Sequence, residues 1–274
     1  MYYFISTIRH SNIGGIIMTA WLDLTKKEFR LGLPAFIFSL VILIGMFAIG
    51  ILIGRSLDMV WELLTFIAFA AITLHSFYLV YYMLYSLDVE RKRMHLWLHN
   101  PLPTSSLLLA KLVSGSTYML ITFIISVTVL WQAFGNSMVS INSGEWLGVL
   151  TLWMIYLMIT TILFGCTYLF FWTIFMALSK TYNDFLSFVF TFIFFVGAVW
   201  LLSAFDGFPF LTWGAIHIGN IPSGVEFSIS NEVHHFEIEQ TTTVLYLSHF
   251  VRDLALAILL FGGGCWILDR KVEV

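Results

Sequence analysis

Charge is what this sequence lacks. Only 11% of its 274 residues are Asp, Glu, Lys or Arg, against about 25% in soluble domains. With 59% hydrophobic residues and a mean hydropathy of +0.92, that scarcity argues against a soluble globule and for an integral membrane protein. The formal net charge of −3 offers no basic surplus, so no nucleic-acid partner is expected. Cysteine is scarce too. Cys166 and Cys265 both fall in apolar stretches and are read as buried free thiols. No internal repeat, low-complexity segment or second domain is visible, so 1–274 reads as a single transmembrane domain. There is no H-E-x-x-H, no G-x-S-x-G and no pair of membrane carboxylates suited to an intramembrane hydrolase. No catalytic residue, metal ligand or cofactor is therefore assigned to this chain, and it is not expected to be an enzyme.

What is present is grease in long runs. A membrane-crossing helix needs about 20 mostly apolar residues, and six stretches qualify: 33–54, 61–87, 106–131, 146–178, 185–205 and 244–268. The fourth is long enough to tilt, bend or project. Backbone groups in lipid must find partners within their own segment, so these runs are expected to be helices. The expected class is an all-α integral membrane protein.

The basic residues give an orientation. With the N-terminus inside, 11 of the 13 Lys and Arg lie at or near the inner face, and only Arg55 and Arg252 lie near the outer one. From Thr181 to Val251 there is neither Lys nor Arg. Both termini are then cytoplasmic, and a bacterial plasma membrane is the simplest setting. The opening residues lack the basic start and small-residue cleavage site of a signal peptide; Met18 is a second candidate start.

Two segments outside the spans have their own patterns. In 18–32, Trp21, Leu22 and Phe29 recur at near-helical spacing between Lys26, Lys27 and Arg30. That suggests a helix lying in the inner interface, turning into the first span at Pro34; a simple basic flank is the alternative. The outer loop, 206–243, begins apolar but is cut by Gly and Pro, which suggests a re-entrant or interfacial segment. It then alternates apolar and polar through "VEFSIS" and "HFEIEQ", a pattern for a small β-hairpin. His234, His235, Glu232, Glu237, Glu239 and His249 are of zinc-binding type. Adjacent strand residues point to opposite faces, however, and the spacing matches no metal motif, so this loop reads as an acidic, solvated surface.

The polar exception inside the chain is "DVERKRMHLWLHNPLPTSSLLLAKL", 88–112. Asp88, Lys92, His95 and His99 recur at i, i+4, i+7 and i+11, one face of a helix, while Leu87, Met94, Trp97 and Leu98 cluster on another. Asn100-Pro101 ends such a helix, and Thr104 or Ser105 can cap the next. The residues alone leave two readings: an ordinary inter-helix loop with topology-setting charges, or a short helix that receives force from a cytosolic motor.

This stretch resembles the corresponding segment of ABC-2 type ATP-binding-cassette exporter permeases. The similarity lies in Glu90-Arg91 after the second span, the apolar run Leu96 to Leu98, the step at Pro101 and Pro103, and a Leu-rich span, Leu107 to Lys111. The layout is also similar: interfacial helix, six spans, and a large loop before the sixth. The hairpin pattern in that loop departs from many family members. The resemblance implies that the chain is half of a permease, paired with a second identical or related permease subunit and seated on two ABC ATPase subunits. It places ATPase coupling in 88–104, with Glu90, Arg91, Met94, Trp97 and Leu98 as the coupling surface. The chain has no G-x-x-x-x-G-K-[ST] phosphate loop, so ATP and Mg would belong to the ATPase subunits.

Within the spans, His75 is an ionisable group at membrane depth, a functional candidate by default. It aligns with Tyr78, Tyr82 and Tyr85 on one helical face. The stripe could line a translocation path or a dimer seam, or His75 could simply bond a neighbouring helix. Tyr156, Thr160 and Thr167 form a weaker stripe. Gly50 and Gly54, and Gly262 to Gly264, suggest close helix approach. The aromatic, weakly charged interior suits lipid-like or amphipathic peptide cargo. The alternative function is a non-transport membrane sensor or immunity protein that binds a peptide through the outer loop.

Overall fold

The computed structural model describes residues 2–91, 102–136, 143–205, 213–229 and 234–272. Six helices are long and apolar enough to cross a membrane, as a multi-pass membrane protein requires. In order they are Met18–Ser56, Val60–Arg91, Thr104–Asn136, Thr151–Ser179, Asp184–Ser203 and Leu247–Arg270. Each contains one of the six apolar runs, or most of it. Below they are the first to sixth spans.

Successive spans run in opposite directions, and the ion pairs between spans lie at one end. Trp21 Nε1 donates to the Ser106 carbonyl at 3.3 Å, Arg91 meets Asp184, and Thr104 bonds Asp269. This is the charged end of the bundle. At the opposite end the strands β1 (Ala215–Ile229) and β2 (His234–Tyr246) pair antiparallel.

The first span differs from the sequence expectation. Tyr2–Ser56 is one unbroken helix with Pro34 inside it, so no turn separates an interfacial helix 18–32 from a span 33–54. Proline removes one backbone bond, but a membrane helix tolerates that where neighbouring helices re-satisfy the freed groups. Packing supplies the reason to continue straight: Leu24, Thr25 and Glu28 are buried, and Leu24 joins Leu107, Leu108, Leu169 and Leu268 in an apolar cluster at the charged end.

The first and second spans meet at a tight turn. Asp58 takes a left-handed φ of 54°, and the Met59 amide donates to the Gly54 carbonyl at 2.9 Å. A Cβ on Gly54 would lie 2.7 Å from Val60 Cα, so only glycine fits there. Beyond the turn, Leu43, Phe47, Leu64, Ala68, Phe123 and Leu157 join the first four spans in a second apolar cluster.

The second span carries an irregularity at mid-length. Val60–Leu74 gives way to a 3₁₀ turn, His75–Phe77, before Tyr78–Arg91 resumes the α-helix. Side chains three apart eclipse in a 3₁₀ turn. Accordingly the His75 and Tyr78 rings stack, with centroids 6.0 Å apart and planes 7° from parallel.

The hairpin also takes more of the chain than its alternation suggests. β1 includes 215–224, placed by sequence in a re-entrant or interfacial segment, and β2 runs through Tyr246, so the sixth span begins at Leu247 rather than 244. Register shifts between His217 and Asn220 and between Pro222 and Gly224 are the irregularities by which a strand accommodates Pro, which has no amide to give the ladder. Residues 206–212 and the turn 230–233 lie outside the described residues.

Candidate functional site

The charged end is built around Lys111. This lysine lies inside the third span, nearly two turns from its start at Thr104, and its side chain has 0% exposure. An ammonium in such a place needs partners from other elements, because an unpaired buried charge costs several kcal/mol or about that order. The first span supplies Glu28, also 0% exposed, whose Oε2 is 2.7 Å from Lys111 Nζ. The second span supplies Glu90, with Oε2 at 2.7 Å, and Ser86, with Oγ at 2.8 Å.

Lys27, 57% exposed, approaches the other oxygen of Glu90 at 3.2 Å. Two ammonium groups therefore face two carboxylates, bridging three spans. The Lys111–Glu90 contact is an ion pair without aligned hydrogen-bond geometry. Glu90 Oε2 and Glu28 Oε1 are thus buried without a hydrogen-bond donor among the described residues.

Tyr82 seals the cluster from the apolar side. It is fully buried, its Oη lies 2.8 Å from Ser114 Oγ, and Ser114 Oγ donates to the Lys111 carbonyl at 3.0 Å. The ring sits between two glycines: a Cβ on Gly32 or Gly115 would overlap it. Tyr118 ties the same helices together by donating to the Phe29 carbonyl at 2.7 Å.

Of the expected coupling residues, Glu90 and Arg91 are in view. Glu90 points inward, into the joint between helices. Arg91 pairs with Asp184 Oδ2 at 2.6 Å and lies 5.1 Å above the Phe175 ring, which links the second span to the fourth and fifth. Met94, Trp97 and Leu98 lie outside the described residues, as do Lys92, His95 and His99.

The stripe His75, Tyr78, Tyr82 and Tyr85 is divided between two places. Tyr82 belongs to the charged cluster and Tyr85 is half-buried beside the aromatic core. His75 and Tyr78 lie at mid-span, on the floor of a recess of about 250 Å³ between the first and second spans. His75 Nδ1 donates to the Ala71 carbonyl at 2.6 Å; in that tautomer Nε2 accepts from Thr122 Oγ1 at 3.1 Å. Its backbone carbonyl receives Thr161 Oγ1 at 3.4 Å. The ring thus pins the second span to the third.

Thr160 and Thr167 donate to carbonyls of their own helix, at 2.9 and 2.7 Å, and Tyr156 meets the Phe250 ring edge-on at 5.7 Å. Among the described residues no group of three or more His, Cys, Asp or Glu is placed to hold a metal ion.

Glu28 is the member that sequence reasoning missed. The available signal was Lys111: a charge within an apolar span needs a partner. Leu24 and Glu28 stand at i and i+4 on one face of the N-terminal helix, where an acid could reach it. Asp184, at the head of the fifth span, was missed for the same reason. No family model, curated protein or solved structure matches this chain.

Proposed function

We propose that this chain is the membrane-spanning permease subunit of an ABC exporter, moving an amphipathic, lipid-like or peptide substrate out of the cytoplasm. ATP is hydrolysed by a separate ATPase subunit, which holds the nucleotide and Mg. A second permease subunit completes the pathway. The charged end is cytoplasmic in this reading.

One observation carries the proposal beyond the resemblance of 88–112. The residue pair that opens the coupling segment is anchored to the bundle by charge: Glu90 to Lys111 and Lys27, and Arg91 to Asp184. A push on the segment would reach the first, third and fifth spans through these contacts. Glu90 and Arg91 then serve as the joint behind the docking face, and Met94, Trp97 and Leu98 as the face itself. Apolar anchors there would give affinity while charges set register.

The uncovered surfaces agree with this arrangement. The fifth span is apolar nearly all round, with Phe185 and Trp200 more than 70% exposed, and it meets the fourth chiefly through Phe171 against Phe194 and Phe195. Lipid and the second permease subunit would share that surface.

The test is ATPase activity recovered with the tagged chain. Met94→Ala/Trp97→Ala is expected to lose the ATPase. Glu90→Gln is expected to retain it but to uncouple hydrolysis from export. An ATPase retained equally by both variants would place docking elsewhere.

The hairpin favours one other reading, a sensor or immunity protein. β1 and β2 form a two-stranded sheet, whose outer edges could add an extended peptide as a third strand. Peptide binding by a chain that recovers no ATPase would favour it.

A further inference from the structure

We infer that the recess between the first and second spans is a binding site for one acyl chain of a bilayer phospholipid. This inference is independent of the exporter reading.

Location comes first. The recess is bounded by Phe38 and Ile42 of the first span and by Leu74, Phe77 and Tyr78 of the second. Ile42 of the first run and Leu74, Phe77 and Tyr78 of the second lie near the middle of their apolar runs and Phe38 about a turn and a half inside the start of its own, which places the recess within a hydrocarbon core of about 30 Å. At the mouth, Phe38, Leu74 and Phe77 are 58%, 58% and 59% exposed. The opening therefore faces the surroundings of the bundle, where the bilayer offers hydrocarbon and no headgroup.

Chemistry comes second. The polar atoms on the floor are already engaged within the protein. Both His75 nitrogens have partners in Ala71 and Thr122. Ser39 Oγ lies 2.8 Å from the Phe36 carbonyl and 3.3 Å from Tyr78 Oη, its hydroxyl the donor to both. Tyr81 donates to the Ala35 carbonyl. These polar atoms each have a partner inside the protein and the rest of the lining is apolar, so the recess favours apolar surface.

Size comes third. A recess of about 250 Å³ falls just below the range of about 300–1,000 Å³ usual for small-molecule sites. It takes a single flexible chain and not a fused ring system or a folded peptide. The 3₁₀ turn beneath it helps to shape it by stacking two of its lining rings, His75 on Tyr78.

The test is photolabelling of the full chain in bilayer nanodiscs with a phosphatidylcholine carrying a diazirine at mid-chain, followed by peptide mapping. Ile193 and Phe188 of the fifth span, about as exposed as the mouth residues, are the internal comparison. Labelling of 38–46 and 74–81 several-fold above that of 188–193 is expected. Leu74→Trp, which fills the mouth from its lipid-facing side, should abolish the excess and leave fifth-span labelling unchanged. Ile42→Trp should do the same from the opposite wall, so one misfolded variant does not decide the matter. Equal labelling of the two regions overturns the proposal. So does excess labelling that persists in both variants, or that arises only with a single-chain diazirine fatty acid, which would mark a site for another amphiphile.

Discussion

Lys111 has no exposed surface, and Glu28, Glu90 and Ser86 are what keep its ammonium tolerable inside the bundle. Removing one partner of a buried pair leaves the other uncompensated, a loss of about 3–5 kcal/mol. Lys111→Ala and Glu28→Ala should each destabilise on that scale in detergent unfolding. Replacing both with apolar residues should be milder than the sum of the two, because neither of them is left facing a missing partner and Glu90 keeps Lys27. Lys27→Ala is the contrast: its side chain is 57% exposed, and exposed pairs contribute about 0–1 kcal/mol. Equal losses for Lys27→Ala and Lys111→Ala would contradict the inward placement of Lys111. At mid-span, Thr122→Val removes a partner of His75 Nε2. Hydrogen bonds between membrane helices average about 0.6 kcal/mol, so its effect should be several times smaller than that of Lys111→Ala.

The elements were legible in unequal measure. All six spans are visible in the sequence because an apolar run of membrane length has few other uses. Pro34 was misleading, because proline signals a break or a tolerated kink with the same letter, and only the burial of Leu24 and Glu28 shows which applies. A distance measurement distinguishes the two. Between nitroxides at Leu22 and Ile44, both exposed, a continuous helix rising 1.5 Å per residue separates the backbones by about 33 Å. An interfacial helix turned at right angles at Pro34 would bring them to about 23 Å. The longer distance is expected. The extent of β1 was hidden for a related reason. Gly and Pro in 215–224 read as interruptions, and the pairing with β2 that absorbs them as register shifts is a long-range fact. The stripe His75, Tyr78, Tyr82 and Tyr85 was legible as a helical face. What the spacing could not reveal was the 3₁₀ turn, or that Gly32 and Gly115 draw Tyr82 into the charged cluster.

At the scale of the whole molecule, charge and grease are arranged for different tasks. One apolar cluster joins the first, third, fourth and sixth spans and another the first four, while ion pairs are concentrated near the end of the second span and the start of the third. We propose that this concentration makes the charged end a force-bearing joint for a cytosolic ATPase. The most direct test is to purify the tagged chain from its native membranes and measure co-purifying ATPase activity, for the wild type and for Met94→Ala/Trp97→Ala. An ATPase is expected with the wild type and its loss in the variant, at unchanged levels of the chain. A well-expressed wild-type chain that recovers no ATPase would contradict it.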